Sequence, residues 1–385
     1  MRHERSGDAG LRHTHESFAV TDLVGIGIPL LVAGFAAAAL TPVAWRLAES
    51  FQVLDRPSER SVSHRAGIPL LGGLAVAGGF VLGLFVALRV HEPSVASSHV
   101  MALLLGGAVI LVLGVWDDRY GLGARAKFAG QALAAGIAIS GGFQMGHLTD
   151  PISQTTFFFP TPLAWIASLL WIVGITNAMN LIDGLDGLAT GVGAIICATL
   201  TITLNYAGMP FGLCIGVALL GGLLGFLPFN FPPARIFLGD TGALFVGYNL
   251  ALLSLEGYRQ VAVITFVVPL LALAVPILDT ALSFIRRARS RQNPFSADRL
   301  HIHHRLLARR GSTRAAVLQF YFLTACFALI AVSFRDLHGY VAGACLVIVF
   351  ILTLRLLWNL GVLSFEKDDA VIEARLAPVK QEEES

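Results

Sequence analysis

Four polar side chains recur at three-residue intervals between two stretches apolar enough to cross a bilayer: Asn177, Asn180, Asp183 and Asp186. A carboxylate beside hydrocarbon costs roughly 2.5–3.5 kcal/mol on insertion scales, so it needs a partner such as a metal. Carboxylate and amide oxygens are hard ligands that suit Mg²⁺ or the polar edges of a nucleotide. The alternative is a polar turn with helix caps, because Asn, Asp and the interspersed Gly are also turn residues.

Two adjacent carboxylates, Asp117 and Asp118, follow another apolar run, with Lys127 and Gln131 one to two helical turns into the next one. Adjacent carboxylates repel each other unless a cation or a metal compensates. The pair therefore suits a general base or a metal site. A solvated pair that caps the next helix is the competing interpretation.

A third cluster spans Asn230 to Gly242 and ends in a Gly-Asp-Thr-Gly turn that contains Asp240. Such a turn at the entrance of a helix brings a carboxylate and free N–H groups together, which suits a metal and its bound phosphate. The competing interpretation is an Asp that only caps the helix.

A fourth cluster contains three histidines and an arginine: His301, His303, His304 and Arg305. No cysteine lies nearby, and the neighbouring arginines favour phosphate recognition over a zinc site. A basic loop at the membrane surface is the remaining alternative.

Composition indicates what must position these clusters. The chain has 385 residues, of which 55% are hydrophobic and only 14% charged, and its mean hydropathy is +0.72. Soluble domains are nearer 25% charged. Runs of about 20 apolar residues predict membrane helices rather than a barrel. We therefore expect an all-α, polytopic membrane protein with eleven spans: 22–44, 68–90, 99–116, 126–143, 161–178, 188–205, 210–229, 241–257, 260–285, 315–334 and 339–360.

The distribution of positive charge predicts the orientation. Of the 27 lysines and arginines, 21 fall in one set of alternate connections. The positive-inside rule assigns that set to the cytoplasm, with the N-terminus outside and the C-terminus inside. All four polar clusters then face the cytoplasm. We expect a polar N-terminal extension (1–21), a transmembrane domain (22–360) and a disordered cytoplasmic tail (361–385). The longest outer connection, 144–160, could form a hairpin that lies at the membrane interface.

Taken together, the clusters resemble the polyprenyl-phosphate N-acetylhexosamine-1-phosphate transferases, a superfamily that includes phospho-N-acetylmuramoyl-pentapeptide transferase. Four blocks match in the family's order: Asp117-Asp118 with Leu122, Lys127 and Gln131; Asn177–Gly191; Gly239–Gly242; and His301–Arg305. The His-x-His-His-Arg block resembles the branch that transfers GlcNAc-1-phosphate. Two departures are the spacing of Arg60 and His64, one residue longer than usual, and Ala243, where a small hydroxyl residue is common.

The resemblance implies a Mg²⁺-dependent reaction in the bacterial plasma membrane. UDP-N-acetylhexosamine and undecaprenyl phosphate give the lipid-diphosphate sugar and UMP, as the first membrane step of cell-envelope glycan synthesis. Asp240 and Asn180 would hold Mg²⁺, and Asp117, with Asp118 beside it, would deprotonate or orient the lipid phosphate. The remaining residues would bind substrate. Four would line the uridine side: Asp183, Asp186, Asn230 and Phe237. Five would neutralise phosphates: Lys127, His301, His303, His304 and Arg305. Asn177 would also bind substrate.

Two alternatives stay open at this point. The first keeps the chemistry but uses another UDP-sugar, a 6-deoxy-N-acetylhexosamine or the muramoyl-pentapeptide. The second is an ion-coupled transporter with buried carboxylates. Two observations argue against a transporter: the clusters lie at one face, and no inverted repeat is visible. Lipid-facing helices could also pair into a homodimer. The reaction could proceed by direct attack or through a phospho-aspartate.

Overall fold

A computed structural model describes residues 7–55, 67–149, 155–257 and 312–333, with isolated stretches between 270 and 355, and gives side chains from Val24 onward. In this part of the chain, nine long helices and one hairpin follow each other in sequence. They are α1 (Gly7–Ser50), α2 (Gly72–His91), α3 (Ser97–Tyr120), α4 (Ala124–Ser140), β1 (His147–Thr149), β2 (Thr156–Phe158), α5 (Thr161–Ile182), α6 (Leu188–Tyr206), α7 (Pro210–Asn230), α8 (Gly239–Gly257) and α9 (Thr313–Ser333).

Each of these helices coincides with a predicted span. Seven of those described are long and apolar enough to cross a membrane: α1 from Val24, α2, α3, α5, α6, α7 and α9. The chain is therefore a multi-pass membrane protein. The spans predicted at 260–285 and 339–360 lie largely outside the described residues, so the total of eleven and the orientation remain predictions. Helix α1 begins at Gly7, inside the predicted polar extension, and runs on to Ser50.

Helix α8 is the central helix of the described bundle. Every residue from Thr241 to Glu256 is buried, and α2, α3, α5, α6 and α7 all pack against it. A helix surrounded by other helices is expected to be apolar on all its faces, and the buried residues of α8 are mostly small or apolar. Helix α1 lies at the periphery, where Phe35 is 72% exposed and faces outward.

The predicted hairpin at 144–160 is confirmed as a fold element. Strands β1 and β2 pair antiparallel, with His147 opposite Phe158. Its place at the membrane interface remains a prediction.

Glycines allow the helix ends around α8 to approach each other closely. A Cβ atom on Gly114 of α3 would collide with the backbone of Thr241, and one on Gly73 of α2 would collide with Gly242. Small residues at helix contacts in membrane proteins permit this kind of backbone approach. As a result, α2 and α3 both reach the first turn of α8.

Candidate active site

The described polar clusters all lie at one end of the helical bundle. Asp117 and Asp118 are in the last turn of α3, and Lys127 is in the first turn of α4. Asn180 is in the last turn of α5, and Asp240 is in the first turn of α8. The chain direction alternates between successive helices, so residues that are far apart in sequence share this end.

Lys127 joins two carboxylates that are more than a hundred residues apart. Its Nζ donates a hydrogen bond to Asp240 Oδ2 at 3.0 Å and forms an ion pair with Asp117. The second oxygen of Asp117 accepts the backbone N–H of Leu122 at 2.8 Å. Asp117 is only 5% exposed, whereas the Asp240 side chain is 32% exposed. The ammonium group therefore lies between a buried carboxylate and an accessible one.

Asp118 points in a different direction from its neighbour. Its Oδ1 accepts the backbone N–H of Asp240 at 2.8 Å. Its Oδ2 accepts the backbone N–H and the hydroxyl of Thr241, at 2.9 and 2.6 Å. Asp118 does cap a helix, but that helix is α8 rather than α4. Neither interpretation of the pair, as a base or as a cap of α4, therefore applies to both residues.

The two asparagines of α5 have different partners. Asn180 Nδ2 donates to Asp240 Oδ1 at 2.5 Å, so this amide is part of the carboxylate cluster. One turn earlier, Asn177 pairs with the buried amide of Gln131 on α4, donating at 2.5 Å and accepting at 3.3 Å. Asn177, predicted to bind substrate, thus joins α4 to α5.

Asp183 and Asp186 lie in the turn between α5 and α6, where Gly187 has a φ of +72°. Asp183 follows the last residue of α5. Its pKa is raised well above the ordinary value, because its surroundings remove water from the carboxylate and because Asp240 and Asp186 are also negative. Asp186 Oδ2 accepts the backbone N–H of Ala234 at 2.9 Å. The segment is therefore a turn, and its two carboxylates have separate surroundings.

The loop between α7 and α8, residues 231–238, is held by a side chain of α7 and by a backbone bond to the segment before α2. Asn230, 2% exposed, accepts the hydroxyl of Thr190 at 2.6 Å and donates to the carbonyl of Ile236 at 3.1 Å. The backbone N–H of Phe237 donates to the carbonyl of Pro69 at 2.8 Å. These bonds fix the loop that carries the half-buried Phe237 ring.

Helix α9 contributes two contacts that the sequence did not predict. Arg314 donates to the carbonyl of Pro232 at 3.1 Å and lies over the Phe231 ring. The Tyr321 hydroxyl donates to the carbonyl of Gly187 at 2.5 Å. In the sequence, Arg314 is one of many basic residues, and no local pattern distinguishes Tyr321. The histidine block His301–Arg305, as well as Arg60 and His64, lies outside the described residues.

The side chains of Asp240 and Asn180 fit a magnesium site as two of its ligands. The amide is placed with its NH₂ toward Asp240, and a half-turn of the amide would present its oxygen instead. Mg²⁺ is usually held by one or two carboxylates together with substrate phosphates and water. No group of three or more His, Cys, Asp or Glu converges among the described residues, so phosphates and water would have to complete the coordination.

These features define a multi-pass membrane protein with a polar site at one end of its helices. The family model of glycosyl transferase family 4 matches residues 100–258, which include all the described site residues discussed above except Pro69, Arg314 and Tyr321. A Bacillus subtilis (strain 168) protein named "Probable undecaprenyl-phosphate N-acetylglucosaminyl 1-phosphate transferase" is 37% identical over 334 residues, covering 86% of this chain and 90% of its own. The chain therefore belongs to glycosyl transferase family 4.

Two further relatives show the range of the family. The decaprenyl-phosphate N-acetylglucosaminephosphotransferase of Mycobacterium tuberculosis (strain ATCC 25618 / H37Rv) is 36% identical, with 77% of this chain and 81% of that protein covered. The phospho-N-acetylmuramoyl-pentapeptide-transferase of Halalkalibacterium halodurans is 30% identical, with 73% and 87% covered.

Proposed function

We propose that the protein transfers N-acetylglucosamine-1-phosphate from UDP-GlcNAc to undecaprenyl phosphate and releases UMP. One observation carries the proposal: at the end of the membrane helices, Lys127 connects Asp117 with Asp240, and Asp240 also meets Asn180. A phosphate anchored in the membrane by its lipid can meet a soluble nucleotide at this level. The names of the two GlcNAc-type relatives support the choice of sugar and of a polyprenyl phosphate acceptor.

Asp117 and Lys127 would act on the acceptor. Phosphoryl transfer depends mostly on positioning and on neutralising charge. Lys127 would neutralise the acceptor phosphate, and Asp117 would take its proton or orient it. The burial of Asp117 and its bond from Leu122 hold this carboxylate in one place.

Asp240 and Asn180 would hold Mg²⁺ on the diphosphate of the donor. When bound, the metal would offset the negative charge that develops on the departing UMP. Asp240 suits this role because its carboxylate is the accessible one of the pair that Lys127 joins.

The nucleotide side would be formed by the α5–α6 turn and the 231–238 loop. Asp183 and the Phe237 ring would contact the uridine, with the ring available for stacking. Asp186 and Asn230 would shape this side indirectly, because their side chains bond to Ala234 and Ile236 of the same loop. His301, His303, His304 and Arg305 would neutralise phosphates.

The site would face the cytoplasm from the bacterial plasma membrane, since that is where the positive-inside rule directs this end of the helices. The described carboxylates lie at helix ends and not midway along the spans, which is unfavourable for an ion-coupled transporter. Another UDP-sugar is the remaining alternative.

A panel of UDP-sugars assayed with the purified protein in detergent tests the proposal. We expect UMP release from UDP-GlcNAc that requires both Mg²⁺ and added undecaprenyl phosphate. UMP release with only another UDP-sugar would keep the reaction class but assign the protein a different donor sugar. No UMP with any UDP-sugar, from protein shown to be folded, would refute the proposed reaction.

A further inference from the structure

We infer that Asp118 is a positioning residue: it caps helix α8 from α3 and thereby holds Asp240 in place, without itself reaching the substrates. The inference rests on the proposed function, because it assigns a role within the same site. It differs from the expectation drawn from the family resemblance, in which Asp118 belongs to the catalytic group beside Asp117.

The hydrogen bonds that the Asp118 carboxylate accepts all come from the first turn of α8. Its two oxygens accept three hydrogens, from the N–H groups of Asp240 and Thr241 and from the Thr241 hydroxyl. The first N–H groups of a helix have no partner within the helix, and a negative charge there is favourable. The residues directly before α8 are Phe237 and Leu238, which cannot cap it. The cap is therefore supplied from another helix.

Glycines make room for this arrangement. Gly239 has a φ of +70°, and a Cβ atom there would lie 2.7 Å from Asp118 Oδ2. Gly114, one turn before Asp118 on α3, lies against the backbone of Thr241. Side chains at either glycine would push α3 and α8 apart and separate the carboxylate from the helix end. The close backbone approach and the carboxylate cap are therefore parts of the same contact between α3 and α8.

The two adjacent aspartates consequently have different tasks. Neighbouring residues on a helix point roughly 100° apart. Asp117 points to Lys127, whereas Asp118 points to the end of α8. Because Asp118 holds the backbone of Asp240, its loss should disturb what the Asp240 side chain does, namely holding the metal, more than it disturbs acceptor activation.

A double-mutant cycle between Asp118→Asn and Thr241→Val tests this inference. Two quantities are measured in each variant: the Mg²⁺ concentration for half-maximal UMP release, and the Mg²⁺-dependent rise in thermal unfolding midpoint with UDP-GlcNAc present. Thr241→Val leaves the carboxylate intact but removes its 2.6 Å hydrogen bond. We expect it to raise the Mg²⁺ requirement about two- to tenfold, as for the loss of one hydrogen bond, and Thr241→Ser to restore it.

Asp118→Asn should raise the Mg²⁺ requirement further, and the double variant should be no worse than Asp118→Asn alone, because both changes remove the same contact. Thr199→Val is the matched control, since Thr199 is buried in α6 and its hydroxyl donates to the carbonyl of Ile195 in the same helix. It should leave both quantities unchanged.

The inference is overturned if Thr241→Val behaves as wild type, or if the two changes act independently. It is also overturned if saturating Mg²⁺ restores no turnover to folded Asp118→Asn, as expected for a residue that touches the reacting groups. If Asp118→Asn does not fold, Thr241→Val and Thr241→Ser still decide. A wild type that releases no UMP would instead refute the proposed function, while the unfolding midpoints would still report on the contact.

Discussion

At the scale of single residues, one ammonium group serves two carboxylates with unequal access to solvent. Lys127 holds the buried Asp117 and the more exposed Asp240 within one hydrogen-bonded unit. Removing either carboxylate should therefore affect a different half of the reaction. In the proposed reaction, Asp240 would act on the metal and the donor, and Asp117 on the acceptor.

Replacing Asp240 with Ala should lower the rate of UMP release at least about a hundredfold, the usual effect of removing one group that stabilises transition-state charge. The small remaining activity should depend only weakly on Mg²⁺, because the carboxylate ligand is gone. Mg²⁺ titrations of the variant and wild type measure both effects. A variant with normal Mg²⁺ dependence would show that the metal is held elsewhere.

Asp117→Asn keeps the shape of the side chain and an oxygen for the Leu122 N–H, but loses the negative charge. We expect turnover to be abolished while UDP-GlcNAc still binds, because other residues would form the proposed donor side. Single-turnover UMP release and calorimetric titration of the nucleotide separate the two. Near-normal turnover would rule out the role of Asp117 as a base.

Asp183→Asn should make the fold less sensitive to pH. The pKa of Asp183 is raised in the folded protein, so the folded state binds more protons than the unfolded state above the ordinary Asp pKa. Stability therefore falls as the pH rises through this window. The variant should unfold at a higher temperature than wild type at neutral pH, with the difference vanishing under acidic conditions. An unfolding midpoint lowered at neutral pH would contradict this.

At the scale of helices, the contact between α3 and α8 depends on the absence of a side chain at Gly114. Gly114→Ala should destabilise the protein by about 1–3 kcal/mol, as overpacking usually does, because the added methyl would meet the backbone of Thr241. Gly136→Ala is the matched control, since nothing lies within 4 Å of its added Cβ. Thermal unfolding in detergent compares the two. Equal midpoints would mean that α3 and α8 can separate without cost.

At the scale of the whole molecule, the two ends of the bundle should face opposite sides of the membrane. Ser97, at the start of α3, and Ala124, at the start of α4, are both exposed and lie at opposite ends. In a variant without the four native cysteines, Ser97→Cys should react with a membrane-impermeant maleimide in intact cells, and Ala124→Cys only after lysis. The reverse pattern would invert the proposed orientation.

The sequence alone was sufficient to predict the described helices and the grouping of the described polar clusters at one end of the bundle. Apolar runs predict membrane helices because hydrocarbon leaves backbone groups no other partner. Nine of the eleven predicted spans are helices in the described chain, and seven of these are long and apolar enough to cross a membrane. The Gly-Asp-Thr-Gly turn was recognisable as a helix entrance, and the alternation of spans brought the polar clusters to one end.

Only the tertiary structure decided what each polar residue contacts. Asp118 caps α8 across 122 positions of sequence, Asn177 pairs with Gln131 on α4, and Asn230 binds the loop that follows it. Such pairings depend on how far each helix is rotated and how closely glycines let it approach its neighbour. A spacing of three residues in the sequence does not determine these pairings. The four evenly spaced residues at 177–186 therefore proved to have four different surroundings.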